Sequence, residues 1–273
     1  MNEIREPAAA GLFYPDKSDQ LRKELDLLLS VSRPSFIPEK IAGIISPHAG
    51  YIYSGKTAAY AFNVLKDKNF KTVIIISPSH REYFAGISIY DGDAFETPLG
   101  VVPINKELRK SIAENSKFVF TGKKGHIEEH AIEVQIPFLQ YVLKDFSIVP
   151  IVMGDQDEKY VDDLAEQIAK NFNDDIVIVA SSDLSHYHTK ETADKLDSVV
   201  ERNISDFDYE QLLENLNNKI CEACGGGPIV SMMKAAYLNN KTKSHILHRS
   251  DSSDTSGDTR QVVGYLSAVI YGE

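Results

Sequence analysis

Lys40-Ile41-Ala42-Gly43-Ile44-Ile45-Ser46-Pro47-His48 and Thr72-Val73-Ile74-Ile75-Ile76-Ser77-Pro78-Ser79-His80 read alike: an apolar run, then Ser-Pro, then a histidine. The runs are apolar at almost every position, which predicts strands buried on both faces, as in a parallel sheet covered by helices. About 32 residues separate the two histidines, enough for one strand–helix–strand unit. Each proline ends its strand and fixes the backbone from which the histidine projects. Ligands bind open α/β sheets at the carboxyl ends of such strands.

Two further runs, Phe146–Met153 and Asp175–Ser181, predict more strands of the same kind. The second leads into Ser181-Ser182-Asp183-Leu184-Ser185-His186, a third strand end that delivers a histidine. Helical periodicity predicts helices over Lys17–Ser30, Ser54–Asp67, Glu129–Lys144, Glu158–Phe172, Lys190–Ile204 and Ile229–Leu238. Gly86–Thr97 with Val101–Ile104 reads as a local antiparallel excursion, and Ser244–His248 and Val262–Tyr271 as closing strands. No linker, charge block or low-complexity run divides the chain. The expectation is one α/β domain over residues 1–273, with a mainly parallel central sheet flanked by helices.

Composition fits that class. The chain has 273 residues, 42% hydrophobic and 25% charged, ordinary globular usage. A net charge of −11 leaves no basic surplus to neutralise phosphates, which argues against nucleic acid or an anionic membrane as partner. The two cysteines, Cys221 and Cys224, do not make a disulfide framework, and residues 1–15 resemble neither a signal peptide nor an anchor. A cytoplasmic protein is expected.

A single loop histidine is usually just solvated. Three at strand ends of one sheet converge on a crevice, where two imidazoles and one anionic ligand provide the open coordination of a catalytic metal. The third ligand is harder to read. Cys224 opens Cys224-Gly225-Gly226-Gly227-Pro228 ahead of a helix, where glycines allow close approach, yet free cysteines are most often buried packing. Two motif matches are set aside. Gly50–Thr57 satisfies GxxxxGK[ST], the pattern of a P-loop nucleotide hydrolase, but Tyr51, Ile52 and Tyr53 favour extended backbone where that loop must curl. His126-Ile127-Glu128-Glu129-His130 matches HxxEH, but the helical period begins only near Glu129, so the histidines share no helix face. No GxSxG elbow supports a serine hydrolase.

At Ser46-Pro47-His48-Ala49-Gly50-Tyr51 the sequence resembles the Memo family, also known as the B protein of the AmmeMemoRadiSam set. The likeness runs from Arg5-Glu6-Pro7-Ala8 through Pro78-Ser79-His80, Glu129–Phe138, Ser181–His186 and Cys224–Ile229 to Val263-Gly264-Tyr265. It implies a fold like the catalytic subunit of class III extradiol dioxygenases and a crevice for non-haem iron. By resemblance His48, His80 and Cys224 are the metal ligands. His186 matches the acid–base histidine, His130 faces substrate or supports the ligands, and Asp183 and Glu133 orient histidines. A thiolate where extradiol enzymes use a carboxylate softens the site, so Fe(II) is expected first and Cu or Zn as alternatives. Without metal, Cys224 is expected to be reactive. The resemblance implies a metal-dependent oxidoreductase acting on an unidentified small molecule. The alternative is a metal- or partner-binding protein without turnover.

Overall fold

Ser46, Ser181, Pro78 and Met153 close the carboxyl ends of four neighbouring parallel strands, and that alignment positions the site. Strand Lys40–Ser46 pairs parallel with Ile176–Ser181, which pairs parallel with Thr72–Pro78, and that in turn with Ser147–Met153. The register sets Ser46 opposite Ser181 and Pro78 opposite Met153, so four chain segments leave the sheet side by side. The structure is a computed structural model and describes residues 3–273.

Around this parallel centre the sheet is mixed. Val262–Gly272 runs antiparallel to Lys40–Ser46, with Lys243–Asp251 antiparallel beyond it and the short His186–His188 strand also paired to it. At the other side Ile87–Tyr90 pairs antiparallel with Ser147–Met153 and then parallel with Val119–Gly122, completing nine strands among the described residues. The expected local excursion is therefore corrected. Ile87–Tyr90 is buried throughout and joins the main sheet, while only Ala94–Thr97 hairpins with Gly100–Pro103, against Ile4–Arg5.

Each strand feeds two cores by alternation. Ile44, Val73 and Ile75 pack with Leu21, Leu25, Phe62 and Phe138 on one face. Ile45, Ile74 and Ile76 pack with Leu164, Ile168, Ile229 and Met232 on the other. Helices Ser18–Val31 and Tyr51–Asn63 cover the first face, and Glu158–Asn171 and Gly226–Leu238 the second. The predicted Glu129–Lys144 helix is two pieces, His130–Glu133 and Ile136–Val142, with Pro137 in the opening turn of the second. Pro137 has no amide to carry a continuous ladder, so the chain restarts there. No helix among the described residues is long and apolar enough to cross a membrane.

Gly50 caps helix Tyr51–Asn63 at its first residue. Tyr51, Ile52 and Tyr53 are helical, contrary to the extended backbone expected of them. The amides a phosphate loop would offer are already used: Tyr51 N donates to Phe13 O, and Tyr53 N and Ser54 N donate to Gly50 O. The P-loop match is geometrically void, though the reason is early helix entry and not extension.

Candidate metal centre

His48 follows the Lys40–Ser46 strand by two residues and lies buried. Its Nδ1 is 2.9 Å from Ser181 Oγ. That hydroxyl has one proton, and it goes to Ala131 O at 2.7 Å, while Gln135 Nε2 donates to Ser181 Oγ at 2.8 Å. Ser181 must therefore accept from His48 Nδ1–H, which leaves the Nε2 lone pair free. Burial, and then the charge of His80, push the His48 pKa well down. His48 is a neutral imidazole with its Nε2 turned towards the Cys224 sulfur.

His80 is prepared by different atoms to the same effect. Buried Glu129 takes the His80 amide on Oε2 at 2.7 Å and the ring Nδ1 on Oε1 at 2.9 Å. Burial opposes the Glu129 charge, but the bonds from the His80 ring and amide and from Ala131 N outweigh it and hold the carboxyl at about 2. The carboxylate fixes the ring and tautomer of His80, as carboxylates do for metal-binding histidines, with Nε2 again left free.

Cys224 brings the third donor. Its Sγ lies 3.2 Å from His48 Nε2 and accepts the Asp183 amide at 3.3 Å. The ligand atoms of His48, His80 and Cys224 all lie within 4.8 Å of one another. Two imidazole nitrogens and a sulfur, each oriented from behind, form a donor set suited to a divalent transition metal. Burial first, and then Asp183, push the Cys224 thiol far above its ordinary range. A thiol kept protonated is a poor nucleophile, so these surroundings work against the reactivity expected of the metal-free chain, while the half-buried residue still lines a cavity. Cys221, by contrast, is buried, and its thiol is pushed up to about 11.

The remaining residues separate into neighbours and bystanders. His130 sits 4.8 Å from His80 and 5.5 Å from His48 between ring centroids, with Phe13 stacked on it at 4.3 Å. Burial and the nearby His48 lower it to about 4. Its Nδ1 is 3.3 Å from Glu129 Oε1 without hydrogen-bond geometry, so with a neutral ring this is a contact and not an ion pair. His186 stands on its short strand, half-buried, and shares the wall of a cavity of about 540 Å³ with Cys224, Gln156 and Leu184. Asp183 is buried and its carboxylate accepts the His48 backbone amide at 2.8 Å. It holds the His48 main chain and not a ring.

Glu133 does not orient a histidine at all. It accepts Arg5 Nη1 at 2.6 Å, Ala8 N and Ala9 N at 2.8 Å and Tyr14 OH at 2.6 Å. Arg5 also donates to His126 O and Glu129 O, so the pair clasps the N-terminal segment onto the loop that bears Glu129. His126 is buried apart from the ligands, with Nε2 against Ser88 O. Glu129, Ser181 and Gln135, which hold these rings, carry almost no local sequence signal as orienting groups. The one available signal was the carboxylate directly before His130.

A profile described as Memo-like protein matches residues 5–269. A MEMO1 family protein of Thermotoga maritima is 37% identical over 98% of this chain and 99% of its own length. One from Methanobrevibacter smithii is 38% identical over 97% and 99%, and one from Methanocaldococcus jannaschii 37% over 99% and 100%. Among solved structures, an uncharacterized protein from Escherichia coli K12 is similar in fold. It has a TM-score of 0.51 at 14% identity and covers 74% of this chain and 86% of that one.

Proposed function

The chain belongs to the Memo family, and on that premise we propose that it binds one transition-metal ion through His48, His80 and Cys224 and uses it in redox chemistry on a small molecule. The observation that carries the reading is the pairing of each histidine's Nδ1 with a committed acceptor, Ser181 or Glu129, while both Nε2 atoms and the Cys224 sulfur converge. Nothing in packing alone calls for that arrangement. Fe(II) heads the candidates, with Cu and Zn next, because two imidazoles and one thiolate suit all three. When bound, such an ion supplies a Lewis-acidic centre and, for iron or copper, one that changes oxidation state.

The chain's own contribution is proton handling and exclusion of water. His130, neutral well below pH 7, is able to accept a proton beside the ligands, and Phe13 shields its face. His186 opens onto the cavity that reaches Cys224, where a substrate proton would be exchanged. A second reading, metal binding without turnover, draws on the thiolate itself: extradiol-type cleavage uses a carboxylate at that position, and Cys224 departs from it.

Metal analysis of anaerobically purified protein tests the proposal. Wild type should carry close to one equivalent and the His48→Ala, His80→Ala double variant almost none, with both folded, since the histidines lie on loops past strand ends. Equal occupancy in the two would sink the site. Oxygen consumption by the loaded protein with catechols and other diols separates the enzyme from the binding protein.

A further inference from the structure

The fourth parallel strand, Ser147–Met153, carries no ligand, yet its outgoing loop reaches the centre through Gln156. Gln156 Nε2 donates to Cys224 O at 2.8 Å, and Gln156 Oε1 accepts Gly227 N at 2.6 Å. One amide thus brackets the peptide just after the ligand and the first turn of helix Gly226–Leu238. A Cβ at residue 227 would meet Gln156 at 2.9 Å, so glycine is what lets the bracket close.

The other side of Cys224 is held from the Ile176–Ser181 strand. Cys224 N donates to Asp183 O at 3.2 Å, Gly225 N donates to Ser182 Oγ at 2.9 Å, and a Cβ on Gly225 would run into Ser181 O. The amide of Cys224 is therefore tied to one strand end and its carbonyl to another. Without the second tie, Cys224 is held from one strand end only, through its amide, the Gly225 amide and the Asp183 amide on its sulfur.

We infer that Gln156 is a positioning residue for the Cys224 ligand, fixing the thiolate within reach of His48 and His80 by bracketing its carbonyl to the helix start. The inference rests on the proposed three-ligand centre. Donor and acceptor are both required on one side chain, which glutamine supplies and neither glutamate nor methionine does. A misplaced donor costs a metal site more than it costs the fold, because coordination tolerates only fractions of an ångström.

Cobalt(II) titration tests it. Thiolate ligation gives a near-ultraviolet charge-transfer absorption, and the visible ligand-field bands report all protein-bound cobalt. Wild type should show both. In Gln156→Met and in Gln156→Glu the near-ultraviolet absorption per bound cobalt should fall by half or more, and affinity should weaken about tenfold, the scale of two lost hydrogen bonds. Gly227→Ala, which displaces Gln156 without altering it, should do the same and covers the case in which a variant at 156 fails to fold. A purely structural role would lower the thermal midpoint with the absorption ratio unchanged, and that result overturns the inference. Wild type that binds cobalt without the near-ultraviolet feature would overturn the three-ligand centre itself.

Discussion

Glu129 acts on His80 through two atoms at once, and neither contact is local: ring and carboxylate are 49 residues apart. Glu129→Gln keeps the size but trades one oxygen for a donor, so either the His80 amide or its Nδ1–H loses its acceptor. Metal affinity should drop ten- to a hundred-fold, the usual cost of losing a group that orients a ligand histidine. Competition against a chelator of known affinity measures it, and an unchanged constant would show that His80 is oriented by something else. The same long separations explain what was legible in the sequence. His48 and His80 stand out because Ser-Pro and a strand announce each. Ser181 meets His48 across 133 residues and Gln156 meets Cys224 across 68, with nothing in either local pattern to mark them. The family resemblance pointed Glu133 at a histidine, but Arg5, Tyr14 and two backbone amides occupy its oxygens.

Helices declare themselves by the face they bury, and those that bury little stay silent. Ser18–Val31 shows Leu21, Leu25 and Leu29 at helical spacing and was readable within a residue or so. Lys106–Glu114 and Tyr209–Asn217 are only 9 residues each, so Leu108 with Ile112, and Leu212 with Leu216, repeat too briefly for their helical spacing to stand out. Their caps were present instead. Asn105 accepts Leu108 N at 2.9 Å, and Asp208 accepts Gln211 N at 3.0 Å. Asn105 also donates to Thr72 Oγ1 at 2.8 Å, pinning that helix to the start of a central strand. Asn105→Ala should cost about 1–2 kcal/mol, the value of a cap plus a partly buried hydrogen bond. Chemical denaturation measures this, and a loss below about 0.3 kcal/mol would mean the cap is ornamental. Strand pairing was harder still. Ile87–Tyr90 was recognisable as a strand, but only the assembled sheet shows that it belongs beside Ser147–Met153.

The molecule as a whole keeps several imidazoles away from water, and this makes it sensitive to acid. Burial lowers His126 to about 3 and His130 to about 4, and drives His48 well down, against 6.5 when exposed. Below pH 6.5 the unfolded chain binds protons that the folded chain refuses, so stability is full above that pH and is lost as the pH falls towards the folded values. At pH 5 each such histidine costs about 2 kcal/mol. Asp183 and Asp197, raised by burial, act with the opposite sign, so the clean measurement is a difference. His126→Gln retains a donor for Ser88 O and removes one titrating group. Its stability should fall about 2 kcal/mol less than wild type between pH 7 and pH 5. Denaturation in the presence of chelator checks this, and parallel pH profiles would refute it.

The alignment of four strand ends also carries a timetable. His48 and His80 are made early, but Ser181, which sets the tautomer of His48, lies 133 residues beyond it. Cys224 follows later, and Val262–Gly272, the strand that flanks Lys40–Ser46, comes last. At translation rates of about 5–20 residues per second, the gap from His80 to Cys224 alone lasts roughly 7–30 s. Glu129 and Ser181, the atoms that aim the two rings, are added one after the other within that interval, and the sulfur only at its end. For the proposed three-ligand centre, the donor set is therefore complete only once Cys224 has been made and packed beside His48.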